Sequence, residues 1–214
     1  MTRRDSSKPW LSWIAVGFIT LSLTLILAFG EAFNLWLATG IVGAVGLALG
    51  WVCLENRRCL LHFPVRLLGF TVLETMLLLA ATYLGFWAMS AILPGMTAWT
   101  KTFYQQLNAP PGLPAALPVL LVMVLAEEVI WRGVFFDLMK RWLKGSQLVF
   151  TCSLAFCAGH LLSGQLWFSA MVLVLGIVWT AQRLVHNNLW VPILTHVIWN
   201  LAVMVYFPLV AVPG

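Results

Sequence analysis

The sequence predicts an all-α fold, a polytopic membrane bundle of about seven spanning helices with a cytoplasmic N-terminus. Three observations lead there. The 214 residues are 62% hydrophobic and only 9% charged, with a mean hydropathy of +0.95, far more apolar than a soluble domain. The apolar residues gather into runs of the length a bilayer core requires, about 20 residues per helix. Basic residues fall between those runs, and almost all of them on one side.

The first run, 11–30, follows the polar segment Met1–Lys8. It exceeds the roughly 7 to 15 apolar residues of a cleaved signal and lacks a small-x-small site after it, so it reads as a retained span. Further runs cover 35–54, 67–93, 115–137, 147–162, 165–182 and 189–208. The fifth and sixth are short and are joined by a tight Ser163-Gly164-Gln165 turn. The longest connection runs from Pro94 to Pro114. Within it Trp99, Phe103 and Leu107 recur at i, i+4, i+8, which suits a short helix flat on the outer surface or an ordinary structured loop. Pro114, Pro118 and Pro192 fall in early turns, where a missing N–H costs least. Tryptophans such as Trp10, Trp13, Trp36, Trp51, Trp142, Trp167 and Trp190 lie near run ends, as interfacial anchors do. With no repeat and no soluble boundary, residues 1–214 read as a single integral-membrane domain.

Charge gives the orientation. Arg3, Arg4, Lys8, Arg57, Arg58, Arg66, Lys140, Arg141, Lys144 and Arg183 share one side of a seven-span path, and Lys101 alone lies on the other. The positive-inside rule then puts the N-terminus in the cytoplasm and the C-terminus outside. The net charge of +5 is spread over these topology signals rather than one basic face, which argues against a nucleic-acid partner. The partners expected are the lipid bilayer and a polypeptide at or in it; lean loops suit a prokaryotic plasma membrane. Cys53, Cys59, Cys152 and Cys157 form no CxxC pair and read as inert thiols.

The twelfth basic residue, Arg132, lies inside the fourth run, where a charge costs roughly 2.5 to 3.5 kcal/mol on insertion scales. The segment Ala126-Glu127-Glu128-Val129-Ile130-Trp131-Arg132 sets Glu128 and Arg132 at i, i+4, close enough for a mutually neutralising pair. Glu127 is turned about 100° away and stays available for chemistry. The fifth run ends in Phe156-Cys157-Ala158-Gly159-His160. The seventh contains His196-Val197-Ile198-Trp199-Asn200, an imidazole and a carboxamide on one helix face. Taken alone, these three residues suit interhelical hydrogen bonds. At 1.5 Å per residue, however, Glu127 lies mid-span, and His196, Asn200 and His160 lie roughly 10, 17 and 20 Å from the cytoplasmic ends of their spans. Four polar groups from three helices thus share one intramembrane layer, as an active site requires. Glu74, inside the third span, pairs with a cation or lines the same cavity. His62, His186 and Asp137 fall at cytoplasmic edges and are expected to be solvated.

The segments EEVIWR, FCAGH and HVIWN, in this order and each on its own span, resemble the EExxxR, FxxxH and HxxxN/B signatures of the CPBP family. That family comprises the type II CAAX prenyl endopeptidases and bacteriocin-processing or self-immunity proteins. The resemblance covers about 113–205. It implies an intramembrane endopeptidase in which Glu127, assisted by His160, activates a water, while His196 and Asn200 donate to the oxyanion. Glu128, Arg132 and Phe156 would support by packing and electrostatics. No cofactor is favoured. Zinc is the alternative, because Glu127, His160 and His196 form a His₂Glu set of the catalytic-zinc type; against it, Asn200 is a poor zinc ligand and no HExxH helix is present.

Two readings of other classes compete with a peptidase. Buried Glu and His residues also make proton relays, but a transporter would show duplicated halves or interrupted helices, which this sequence does not. A non-catalytic immunity or scaffold protein would keep the same motifs. The orientation is directly testable. Reporter fusions in the 138–146 connection should read as cytoplasmic and those after Gly214 as external; a cytoplasmic Gly214 would refute the seven-span count.

Overall fold

The computed structural model describes residues 9–29, 34–55, 57–63, 65–93, 95–108, 110, 112–161 and 166–211. Arg3, Arg4, Lys8 and the Ser163–Gln165 turn therefore lie outside the described residues. Within them the chain is helical, with no strand. The order is α1 (Pro9–Phe29), α2 (Leu35–Cys53), a short α3 (Arg57–Leu60), a 3₁₀ turn (Val65–Leu67), α4 (Leu68–Ile92), α5 (Met96–Leu107) and α6 (Leu113–Glu127). A π-helical segment (Glu128–Phe135) follows, then α7 (Phe136–Met139), α8 (Gly145–Leu161), α9 (Leu166–His186), α10 (Trp190–Asn200) and a second π-helical segment (Leu201–Tyr206).

Each of the seven apolar runs forms helix. Among the described residues, four helices are both long and apolar enough to cross a membrane, namely Pro9–Ile26, Trp36–Cys53, Val65–Ile92 and Leu166–His186, with Trp190–Tyr206 a shorter apolar helix. The helix through the fourth run carries Glu127, Glu128, Arg132 and Asp137, and α8 has only 17 residues. The connection after α4 holds a helix, α5, on which Trp99 stacks on Phe103 at 5.8 Å. Local chemistry sets several ends. The Asn34 side chain accepts from Leu37 N–H at 3.0 Å and starts α2. Asn187, at φ 46°, supplies the left-handed residue that ends α9. Pro192 stands in the first turn of α10, whereas Pro118 lies deeper inside α6.

The chain divides into two compact units. The first comprises 1–63 and 119–193, the second 64–118 and 194–214, so two of the three boundaries fall within α6 and α10.

In the first unit α8 and α9 form an antiparallel hairpin sealed by small side chains. A Cβ on Gly176 would meet the Phe156 ring at 3.1 Å and the Ser153 Cβ at 3.4 Å. Ser153 Oγ reaches Thr180 Oγ1 at 3.4 Å, and Cys157 Sγ donates to the Ser169 carbonyl at 3.2 Å. Such close approach, rather than hydrophobic exclusion, is what drives helices together in lipid. Glycines serve α2 in the same way. Gly43 faces the Met123 backbone at 3.2 Å, Gly46 faces Ile19, and Gly50 faces Val129 and Ile130.

In the second unit, hydroxyls and indoles tie α4 and α5 to the C-terminal helix. Thr75 Oγ1 reaches Thr195 Oγ1 at 3.4 Å, and Trp199 Nε1–H donates to Thr82 Oγ1 at 2.9 Å. The Tyr83 hydroxyl donates to the Phe207 carbonyl at 2.5 Å. The buried Tyr104 hydroxyl on α5 donates to the Val203 carbonyl at 2.6 Å and accepts from Leu209 N–H at 3.1 Å. Partners rising together along both chains show that α4 and α10 run in the same direction.

Some side chains depart from the sequence reading. Trp10, Trp13, Trp51, Trp142 and Trp167 are exposed, but Trp36 is buried and Trp190 donates its indole N–H to the Leu61 carbonyl at 2.8 Å. Those two serve packing. Of the four thiols, Cys152 and Cys157 are buried and Cys59 is exposed.

Because a methyl at position 50 would sit 2.8 Å from Val129 Cγ1 and 3.0 Å from Ile130 Cγ1, Gly50→Ala forces two branched side chains aside. It should destabilise by about 1–3 kcal/mol, read as a lowered midpoint of thermal unfolding in detergent. An unchanged midpoint would mean that α2 does not need this approach.

Candidate active site

The fourth-span motif sits where the helix changes pitch. Glu127 is the last residue of α6 and Glu128 opens the π-helical segment. The widening is visible at its end, where the Phe136 N–H points to the Trp131 carbonyl five residues back and to that of Gly133. π-helical turns are rare and are frequent at functional sites. Spacing alone did not reveal this one.

Glu128 and Arg132 form the pair their i, i+4 spacing suggested, with Arg132 Nη1 donating to Glu128 Oε1 at 3.0 Å and both side chains fully buried. The guanidinium has further partners. Its Nη2 donates to the Gly176 carbonyl on α9 at 3.4 Å, and its plane lies over Phe156 at 4.3 Å and Trp179 at 5.3 Å. Aromatic faces suit a guanidinium because their quadrupole attracts cations and Arg is weakly hydrated.

Phe156 carries this contact to the histidine of its own helix. Its ring meets the His160 ring edge-on at 5.0 Å, and His160 Nδ1 is 3.1 Å from the Phe156 carbonyl. A carbonyl only accepts, so Nδ1 carries the proton in this contact; when the ring is neutral, its lone pair is therefore on Nε2. Glu128, Arg132, Phe156 and His160 are thus joined in one chain of contacts, and the buried Glu127 adjoins its first member in sequence.

The second unit holds the remaining two candidates. His196 and Asn200 lie one helical turn apart on α10, and both are buried. Asn200 Oδ1 has no hydrogen-bond partner among the described residues. Asn200 ends the α-helical part and the second π-helical segment begins at Leu201, closing with the Phe207 N–H on the Ala202 carbonyl five back, at 2.7 Å. Glu74 is half-buried on α4.

Asp137 requires a correction. Expected to be solvated at a span edge, it is buried and pairs with Lys140 at 2.6 Å and Arg183 at 3.2 Å. Arg183, counted above among loop charges, lies buried in the last turn of α9. The spacing of Asp137 and Lys140 at i, i+3 was a legible signal for their pairing; nothing local pointed to Arg183, 46 residues away. Among the described residues, no group of three or more His, Cys, Asp or Glu is placed to hold a metal ion.

Residues 109–202 match the family model of the Rce1-like type II CAAX prenyl endopeptidases. The match contains all three motif segments and bears out the resemblance drawn from them. Together with the apolar helices, it supports an integral membrane protein whose segment 109–202 is similar to a protease family. No curated protein and no solved structure matches the chain.

The geometry predicts a specific stability pattern. Arg132→Ala strands the buried Glu128 carboxylate, a change worth about 3–5 kcal/mol for a broken buried pair. The yield and thermal midpoint of the purified protein should fall, and Glu128→Gln added to Arg132→Ala should restore part of the loss. A wild-type midpoint for Arg132→Ala would show that the pair does not support the fold.

Proposed function

We propose that this protein hydrolyses a peptide bond of a membrane-associated polypeptide with a water activated by Glu127. The observation that carries the reading is that Glu127, His160, His196 and Asn200 are all buried on apolar helices within the segment matching the endopeptidase family. Polar groups are expensive in such surroundings and persist there for function.

The chemistry runs as follows. Glu127 accepts a proton from the water while His160, its Nδ1 tied to the Phe156 carbonyl, presents the Nε2 lone pair to the same water. The hydroxide attacks the scissile carbonyl, and His196 and Asn200 donate to the oxyanion of the tetrahedral intermediate. Preorganised donors of this kind are usually the largest single contribution to catalysis. Glu127 then returns the proton to the leaving amine. The Asn200 carboxamide is buried, and its Nδ2 is the end that can donate to the oxyanion. Glu128, Arg132 and Phe156 hold the frame.

The finer topology belongs to the same proposal: seven spans in one membrane domain, N-terminus cytoplasmic, in a prokaryotic plasma membrane. The shared direction of α4 and α10 supports it, since a seven-span path makes these the third and seventh spans. A metal-free mechanism is favoured because the sequence has no HExxH helix and Asn200, a poor zinc ligand, suits an oxyanion donor.

The test uses the protein in proteoliposomes with fluorogenic peptides, prenylated and unprenylated. Glu127→Gln should abolish cleavage with the thermal midpoint kept, and His160→Ala should behave alike. Asn200→Ala should lose about 10² to 10³ in turnover, as for one missing oxyanion donor. A strong chelator should leave the wild type active. Inhibition reversed by stoichiometric zinc would overturn the mechanism, and full activity in Glu127→Gln would remove the proposed base.

A further inference from the structure

Arg183 is buried to 1% exposure, yet none of the motifs or roles described above includes it. Its guanidinium divides three ways. Nε donates to the main-chain carbonyl of Arg132 at 3.0 Å, Nη1 to Asn187 Oδ1 at 2.7 Å and Nη2 to Asp137 Oδ1 at 3.2 Å. The Phe136 ring covers its face at 4.7 Å.

The first of these bonds is the informative one. In an α-helix the Arg132 carbonyl would accept from the N–H of Phe136, four residues on. That N–H instead turns to Trp131 and Gly133, because this is where the π-helical segment hands over to α7. Arg183 delivers a charged donor to the carbonyl at the handover, and its other arm grips Asp137 in the first turn of α7. Charge-assisted bonds are roughly twice as strong as neutral ones, and a backbone carbonyl in apolar surroundings has no water to turn to. Arg132 is thereby held at both ends, its side chain by Glu128 and its carbonyl by Arg183.

We infer that Arg183 is a positioning residue that holds the π-helical register of Glu128–Phe135 and so fixes the rotation at which α6 presents Glu127. Without the strap the segment relaxes toward the α-helical register. A one-residue change of pairing turns everything N-terminal to it, including Glu127, relative to everything after it. The structural part stands on the geometry alone; the catalytic consequence rests on Glu127 as the base.

The experiment compares wild type with Arg183→Lys, which keeps the cation for Asp137 but lacks the planar fork that reaches three acceptors in different directions. Arg183→Gln is the second variant should the lysine protein fail to fold. Hydrogen–deuterium exchange of the 127–139 segment, read by mass spectrometry in detergent, should rise at least tenfold in the variant while exchange in α4 and α5 stays at wild-type rates. Cleavage of the fluorogenic peptides should show a fall in kcat of tenfold or more with KM within twofold. Wild-type exchange at 127–139 in a folded variant would overturn the register claim whether or not the protein cleaves peptides. Raised exchange with unchanged kcat would overturn the positioning claim. Glu127→Gln in the same assay separates a third result: if that variant cleaves normally, the proposed base fails, and the exchange data still decide the strap.

Discussion

The guanidinium of Arg132, shut away among apolar helices with no water to solvate it, must find every partner within the protein. Such a group costs several kcal/mol to bury unless its charge is met and its donors are taken up. Glu128 meets the charge from the same helix, the Gly176 carbonyl accepts from α9, and the rings of Phe156 and Trp179 cover the faces from α8 and α9. Each partner constrains its own helix. Gly176 must lack a side chain for α9 to come near Phe156, and Phe156 in turn sets the ring and tautomer of His160. Neutralising one cation therefore fixes the spacing of the motif helix against the α8–α9 hairpin.

The π-helical pitch follows from similar accounting. A widened turn misdirects one main-chain donor, and in lipid an unsatisfied carbonyl is costly. Such a defect survives only where a side chain repairs it, and Arg183 lies against the Arg132 carbonyl at the handover. A second π-helical segment begins directly after Asn200. The two motif residues that adjoin these segments, Glu127 and Asn200, lie at points where a helix departs from regular geometry, which is where side chains gain directions that regular pitch forbids.

Much of this was legible because both lipid and helix impose strict periodicity. The apolar runs became helices with ends displaced by only a few residues, since a break in apolarity and a break in the helix have a common cause. The Glu128–Arg132 pair was legible because i, i+4 adjacency is local. What stayed hidden depends on position along no single period. The π pitch leaves no compositional trace in EVIWRGVF, and Asp137 looked like an edge residue because its burying partner comes from another helix. Trp36 reads as an anchor by location, but location does not say which face of α2 it occupies. The span count suffers from the site itself, since the charges that mark the fourth run as functional remove it from any tally based on apolarity.

The buried polar residues of this chain differ in how completely they are satisfied. Arg132 and Arg183 give most of their donors to carbonyls, carboxylates and the Asn187 side-chain amide, which ties the motif helix to α9, while Arg132 Nε has no hydrogen-bond partner among the described residues. Asn200 keeps a buried polar atom without a partner, and such an atom is destabilising until something else bonds to it. Reacting groups must retain hydrogen-bonding capacity, and a membrane interior penalises that retention more than water does.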